Sequence, residues 1–353
     1  MSGLHPDARI ERGIRQRVLA SYRRAFPEPP ERIVIGFSGG NDSTALALIL
    51  IGLGPLIESG IELLHVDHRM RPGSGDDATA ALQLANEFGS SASVITAVEP
   101  PEVSHPGVGP EEAARRVRFA SLAKFAGSGG VVTLAHHARD QSETVLLHLL
   151  RGTGAEGIGG IAELETMRVP WWNASADAST LRVWRPLLRE SKSDLAAIVA
   201  SRGLLPIEDE TNLDPAYRRN LIRHRLLPVL REIEPSVDER LGTLAEIARD
   251  ENAWIESITA SMLAPFEGEP GLRVDLVSQS PVGLSRRIVR HWCRSFFNHE
   301  LTFDRVEAIR ELCGNPNGAA RIEIGDNLFA WRDRTYLHIG SDAPAQSGPQ
   351  GAN

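Results

Sequence analysis

The stretch "ERIVIGFSGGNDSTALALIL", Glu31 to Leu50, limits the fold more than any other. "RIVIGF" is a short β-branched run of the kind that forms a buried strand. "SGGNDS" interrupts it, and "STALALILIGLG" then has the all-round apolar character of a covered helix. A strand that turns at once into a helix is the entry unit of a parallel α/β sheet. The turn also suits a phosphate. Gly39 and Gly40 let the backbone come close to a ligand. The helix start aims free N–H groups and its positive dipole end at the turn. Ser38, Ser43 and Thr44 add hydroxyl donors, and Asn41 and Asp42 complete the segment. Neither common nucleotide fingerprint is present, G-x-x-x-x-G-K-S/T or G-x-G-x-x-G, so no lysine reaches the outer phosphates from this turn.

The alternation continues down the chain. "IELLHVDH" (61–68), "SASVITAV" (91–98) and "GVVTLAHHA" (130–138) predict strands. Residues 75–89, 109–127 and 139–152 predict helices, and 153–163 a glycine-rich loop. "VWRPLLRESKSDLAAIVASRG" (183–203) predicts a last strand and a helix with Ser191 as N-cap, Asp194 in capping-box position and Gly203 at its end. Residues 9–26 have helical apolar spacing and predict a helix lying on this domain. In parallel sheets, ligands sit beyond the C-terminal ends of the strands. Ser38 to Ser43, Asp67 with His68, and His136 with His137 all fall at such ends.

Past residue 215 the texture changes. The expected organisation is an α/β domain over 1–215, a helical region over 216–265, a small α+β domain over 266–340 with a hairpin around Gly325–Asn327, and a disordered tail over 341–353. The net charge of -8 argues mildly against a nucleic-acid partner. Binding depends on where the basic residues cluster, however. "YRRNLIRHRLLPVLR" gathers Arg218, Arg219, Arg223, Arg225 and Arg231, and "SRRIVRHWCRSFFNH" gathers Arg286, Arg287, Arg290 and Arg294. Such stripes bind phosphates, or they pair with acids on neighbouring helices. No apolar run is long enough to span a membrane, and the N-terminus lacks an apolar core of signal-peptide type, so a cytoplasmic location is expected. Cys293 and Cys313 form no disulfide framework. His65, His68, His136 and His137 could suggest a metal cluster, but a hydrogen-bonded core histidine is the plainer account of His65.

"SGGNDS" after an apolar strand resembles the SGGxDS signature of the PP-loop ATP pyrophosphatases. "HVDHRMRPGSGDDA", "EEAARRVRF", "LAHHARDQSETVLLHLLRGTG" and "EDETNLDPAYRRNLIRHRLLPVL" resemble, in order, four further segments of the tRNA(Ile)-lysidine synthetase family. Together they cover about residues 32–230. Phe119 stands where tyrosine is usual, Arg139 where an acid is common, and Arg69 where the family has glycine.

The resemblance implies a PP-loop fold and ATP cleaved to AMP and pyrophosphate, with Mg²⁺. It implies transfer of L-lysine to carbon 2 of the wobble cytidine in a minor isoleucine tRNA with anticodon CAU, through an adenylated cytidine. That changes the codon read from AUG to AUA and the identity from methionine to isoleucine. On this resemblance, Ser38, Gly39, Gly40, Asn41, Asp42, Ser43 and Thr44 cradle the triphosphate. Asp42 and Asp140 would hold the metal, and Asp140 and Glu143, three apart on one helix face, would bind lysine or the metal. His136 would contact ATP or the developing charge, and Arg115 and Arg118 would stabilise the adenylate or a tRNA phosphate. Arg218, Arg219, Asn220 and Arg223 would bind tRNA. The chain is compatible with a homodimer. A thiolase of the same superfamily is the competing expectation, but it needs a placed sulfur, and both cysteines lie in the C-terminal third.

Overall fold

The computed structural model describes residues 6–69, 73–168, 180–207, 218–297, 299–315 and 321–341. Residues 342–353 of the expected tail and the "EDETNLDPAY" part of the family-like segment lie outside these. The chain forms two compact units, 1–249 and 250–353.

The first unit opens with helix α1 (Pro6–Ala25). Then come β1 (Arg32–Gly36), α2 (Asn41–Leu53), β2 (Gly60–Asp67), α3 (Ser74–Glu87), β3 (Ala92–Thr96), the short α4 (Pro101–Ser104), α5 (Pro110–Ala126) and β4 (Gly130–Thr133). After β4 follow α6 (Ala138–Leu150), the single-turn α7 (Ala155–Ile158), β5 (Leu164–Arg168), β6 (Thr180–Trp184) and α8 (Lys192–Ala200). The unit continues through α9 (Arg218–Leu221), a π-helical turn (Ile222–Leu226) and α10 (Leu227–Ile233) into α11 (Val237–Leu263). Ser191 caps α8, its side chain accepting from the Asp194 N–H at 3.1 Å.

The sheet runs β3-β2-β1-β4-β6-β5. Every pair is parallel except β5 with β6. β5 was not anticipated. "LETMR" carries three polar or charged residues in five and has the composition of an antiparallel edge rather than a buried strand. Along β1 the side chains alternate between the faces. Ile33 and Ile35 join the core under α1, α2 and α8, while Val34 joins the core under α5. α2 is buried almost all round, as its apolar composition requires. From β1 the chain winds outward to β2 and β3, then returns to place β4 on the other side of β1. The crevice beyond the ends of β1 and β4 is therefore the topological switch point, where such sheets bind ligands.

The second unit holds β7 (Leu272–Arg273), α12 (Val274–Ser278), α13 (Val282–Phe297), α14 (Phe303–Gly314), β8 (Arg321–Gly325), β9 (Leu328–Arg332) and β10 (Tyr336–Gly340). Its sheet is antiparallel, in the order β7-β10-β9-β8. The β8–β9 hairpin turns through Asp326 and Asn327, both at positive φ (52° and 59°), a conformation Asn and Asp tolerate better than most residues. The thiols of Cys293 and Cys313 lie in this unit's core, and burial pushes them up to about 12 and about 11. Neither has the character of a reactive sulfur. Among the described residues no helix is long and apolar enough to cross a membrane.

Candidate active site

Two helices start at the switch point, and their first turns are built in opposite ways. α2 starts at Gly40, and no side chain caps it. Gly39 takes φ +79°, and a β-carbon there would sit 2.5 Å from Ile207 Cδ1, so the turn needs glycine on both counts. The Gly39 carbonyl accepts from the Ile207 N–H at 2.9 Å, which pins the turn from outside. Inside it, Ser43 Oγ and Thr44 Oγ1 both donate to the Gly40 carbonyl, at 3.0 and 2.9 Å. Ser38 Oγ lies 3.1 Å from Ser43 Oγ and accepts from the Gly40 N–H at 3.2 Å. The hydroxyls thus stiffen the loop and leave the helix start without a capping side chain, the arrangement that suits an anion.

α6 is capped. His137 is its N-cap, with Nδ1 accepting from the Arg139 N–H at 3.2 Å, while Asp140 Oδ2 accepts from the His137 N–H at 3.0 Å. Because Nδ1 accepts, Nε2 carries the proton, and it faces Asp42 Oδ2 at 3.5 Å. His137 is 3 % exposed. It therefore joins the glycine turn to α6. Burial pushes the Asp42 carboxyl up, but hydrogen bonding to His137 and the positive charge of Lys192 help hold the group below its ordinary value. Asp42 Oδ1 is buried and makes no hydrogen bond among the described residues, and neither does Asn41 Nδ2. Among those residues no group of three His, Cys, Asp or Glu side chains could hold a metal alone. Magnesium needs only one or two carboxylates beside phosphate oxygens and water. The free oxygen of Asp42 fits that requirement. Both oxygens of Asp140 are already engaged, by His137 and by Arg219.

One turn further, Glu143 is fully buried. Arg219 donates from Nε to Glu143 Oε2 at 2.8 Å and from Nη2 to Asp140 Oδ1 at 3.1 Å. Arg223 donates from Nε and Nη2 to the two Glu143 oxygens, at 2.6 and 2.9 Å. Arg139 Nε lies 3.4 Å from the same carboxylate. Burial pushes the Glu143 carboxyl up, but the hydrogen bonds from Arg223 and Arg219 outweigh it and keep it below the usual range. The two arginines sit four apart, Arg219 in α9 and Arg223 in the π-helical turn that follows it. Pro228 has no N–H and crowds the carbonyl four residues back, which accounts for the widened turn just before it. Arg219 and Arg223, expected to meet tRNA phosphate, thus turn inward onto the two acids of α6. Asn220 is buried, and Arg218 is exposed at the start of α9.

Across the crevice α5 contributes Arg115 and Arg118. Both guanidinium groups lie over the Phe119 ring, at 4.7 and 5.7 Å from its centroid. Phe119 itself is buried in the core, so the ring that replaces a tyrosine anchors both cations. Arg118 falls to about 10, through burial and then the charges of Arg115 and Arg219. His136 falls to about 3, because burial outweighs the attraction of Asp140 and Arg185, Arg118 and Arg219 add repulsion. It is a neutral imidazole at physiological pH, and its Nδ1 is buried without a partner among the described residues. His68 falls to about 4 for the same first reason, with Arg118 second. His65 is buried with Nδ1 3.0 Å from the Phe37 carbonyl, a core histidine.

The residues singled out in the sequence therefore gather at one place: the turn Ser38–Thr44, the α6 acids, the α5 arginines and His136. Three participants were missed. His137 was passed over for its neighbour, although its place just before "ARDQ" marks it as the helix cap. Arg139 was noted only as a departure, yet it supplies a third cation around Glu143. Arg185 is buried, its Nη1 donating to the Ala162 carbonyl and its Nη2 to Glu165, both at 2.9 Å, and it adds positive charge beside His136.

A PP-loop domain model matches residues 10–230. The tRNA(Ile)-lysidine synthase of Rhodococcus erythropolis is 32 % identical over 345 residues, covering 96 % of this chain and 98 % of that one. That of Salinispora arenicola is 34 % identical over the same shares. The chain belongs to the tRNA(Ile)-lysidine synthase family of PP-loop proteins. Members differ in length. The synthase of Symbiobacterium thermophilum is 34 % identical over 76 % of this chain, and this chain spans only 56 % of its length. Among solved structures, the U34-tRNA thiolase NcsA from Methanococcus maripaludis matches with a TM-score of 0.54, over 68 % of this chain and 79 % of that one. At 14 % identity that likeness concerns the fold alone.

Proposed function

We propose that this protein joins L-lysine to carbon 2 of the wobble cytidine in a CAU-anticodon isoleucine tRNA, cleaving ATP to AMP and pyrophosphate. The observation that carries this reading is the pair of helix starts at one switch point. The open start of α2 suits a pyrophosphate about to leave, and the capped start of α6 presents Asp140 beside it. Near full-length similarity to tRNA(Ile)-lysidine synthases directs the choice among PP-loop reactions.

In this reading the turn Ser38–Thr44 cradles the triphosphate. Asp42 would hold Mg²⁺, which would offset phosphate charge when bound. Adenylation of the cytidine oxygen at position 2 converts a poor leaving group into a phosphate ester. The oxygen then departs with AMP as the ε-amine of lysine forms the new carbon–nitrogen bond. An unperturbed lysine, with pKa about 10.4, arrives as an ammonium and must lose a proton first. Asp140, whose oxygens each keep a lone pair beyond the bonds from His137 and Arg219, is the carboxylate that would bind that ammonium and take the proton. Glu143, sealed beneath the arginines, acts by fixing Arg219 and Arg223. Arg115 and Arg118 lie where they would stabilise charge on the adenylate, and the neutral His136 offers a hydrogen bond without adding charge.

The thiolase alternative loses support from the burial of both cysteines in the core of the second unit. Incubation with ATP, Mg²⁺, labelled lysine and a CAU isoleucine tRNA transcript tests the proposal. Label entering the tRNA with matched AMP release is expected. Sulfur or another amine entering while lysine does not would overturn it.

A further inference from the structure

α1 carries Arg9, Arg12, Arg15, Arg17, Arg23 and Arg24, and these fall into two classes. Arg15 pairs with Glu11 at 2.6 Å, Arg17 grips both oxygens of Glu190 at 2.8 and 2.6 Å, and Arg24 pairs with Glu163 at 2.8 Å. Arg9, Arg12 and Arg23 are exposed and make no ion pair or hydrogen bond among the described residues. At about 100° per residue, Arg9, Arg12, Gln16, Ala20 and Arg23 line one narrow stripe. It lies directly opposite the buried face of Ile14, Val18 and Tyr22. The stripe holds no carboxylate, and its ends are about 21 Å apart at about 1.5 Å per residue.

The stripe is rigidly mounted. Tyr22 and Phe26 pack on Trp184 with centroids 6.0 and 5.5 Å away, and Trp184 Nε1 donates to Ser21 Oγ at 3.0 Å. Glu190, held by Arg17, accepts the Ala138 N–H on its own carbonyl at 3.0 Å. One chain of bonds thus runs from α1 to the first residue of α6, in the unit that holds the site.

We propose that this face of α1 binds backbone phosphates of the RNA substrate, as a contact outside the active site. The proposal rests on the RNA-modifying reading above. A protein of net charge -8 repels a polyanion in general, so contact is favoured where cations are left uncompensated. Guanidinium groups suit phosphate by their fork of donors. Three arginines spread along one exposed face of a straight helix suit the regular phosphate backbone, so the stripe would contribute affinity with little sequence selection.

The test is the full-length triple variant Arg9→Ala, Arg12→Ala, Arg23→Ala, in which alanine favours the helix and α1 stays folded. Its tRNA Kd is expected to rise roughly tenfold at moderate salt, and the slope of log K against log salt to shrink by about 2 to 3. The ATP KM and kcat at saturating tRNA should not change. The triple Arg→Lys variant should restore affinity. An unchanged Kd and slope, in a preparation whose parent binds and modifies tRNA, overturns this proposal and leaves the functional reading standing. Unchanged tRNA binding with lost binding to anionic phospholipid vesicles overturns it in favour of a membrane surface. A parent protein that modifies no tRNA ends both.

Discussion

The two arginine-rich stripes look alike as strings and do different things in the folded molecule. In 218–231, Arg219 and Arg223 close over a fully buried carboxylate, and Arg231 binds Asp238 at 2.7 Å. In 286–294, Arg286 meets Glu307 at 2.7 Å, and Arg294 meets Glu300 at 2.7 Å with both partners largely in solvent. Both stripes pair with acids, so neither is a bare phosphate-binding track. They differ in what the pairing encloses. The first builds part of the candidate site, and the second decorates a surface. Arg218 and Arg225 of the first stripe are exposed, and exposed cations without an ion pair among the described residues also lie on α1, where no motif pointed.

Breaking the inward stripe should have the largest effect. Arg223→Ala leaves Glu143 buried with two of its three arginine hydrogen bonds gone. Removing one partner of a buried pair costs about 3–5 kcal/mol, and the partial exposure of Arg223 places this case near the lower end. Urea unfolding of full-length protein measures it, and a cost below about 1 kcal/mol would mean the pair is effectively a surface one. Next, Arg219→Ala with Arg223→Ala should raise the lysine KM and nearly abolish turnover. A variant that alters only the salt dependence of tRNA binding would restore the phosphate-binding role.

The third prediction concerns pH. Glu143 is held below its ordinary value of 4.5 in the folded protein. Its contribution is fully present above that value and is lost as pH falls through the lower, folded one. Parent protein should therefore lose stability below about pH 4.5 more steeply than Glu143→Gln, by urea midpoints taken at each pH. Matching acid limbs would show that Glu143 is not specially stabilised. The smallest effect belongs to the outward stripe: Arg294→Ala should cost about half a kcal/mol and leave turnover unchanged.

These contrasts explain what could be read in advance. The parallel sheet was readable because its strands and helices alternate with clear apolar periods, and the turn Ser38–Thr44 because glycines and hydroxyls cluster where strand meets helix. The sign of charge in 218–231 was readable too, but its partner was not. Glu143 lies 76 residues before Arg219, and only the fold brings them to 2.8 Å. Adjacent His136 and His137 could not be told apart by type. One became a cap through its backbone position, while the other became a neutral group among cations. Asn41 occupies the free position of the SGGxDS signature. Its amide nitrogen proves to be buried beside Asp42, which no feature of the string signalled.

In the proposed function, the open α2 start and the capped α6 start serve one reaction on a wobble cytidine. The most direct measurement is nucleoside mass spectrometry of the CAU isoleucine tRNA after incubation with ATP, Mg²⁺ and lysine, with Asp42→Asn run in parallel. Lysidine at the wobble position is expected with the parent protein, and unmodified cytidine with a folded Asp42→Asn variant. Unmodified cytidine with the parent, or equal lysidine from both proteins, would contradict it.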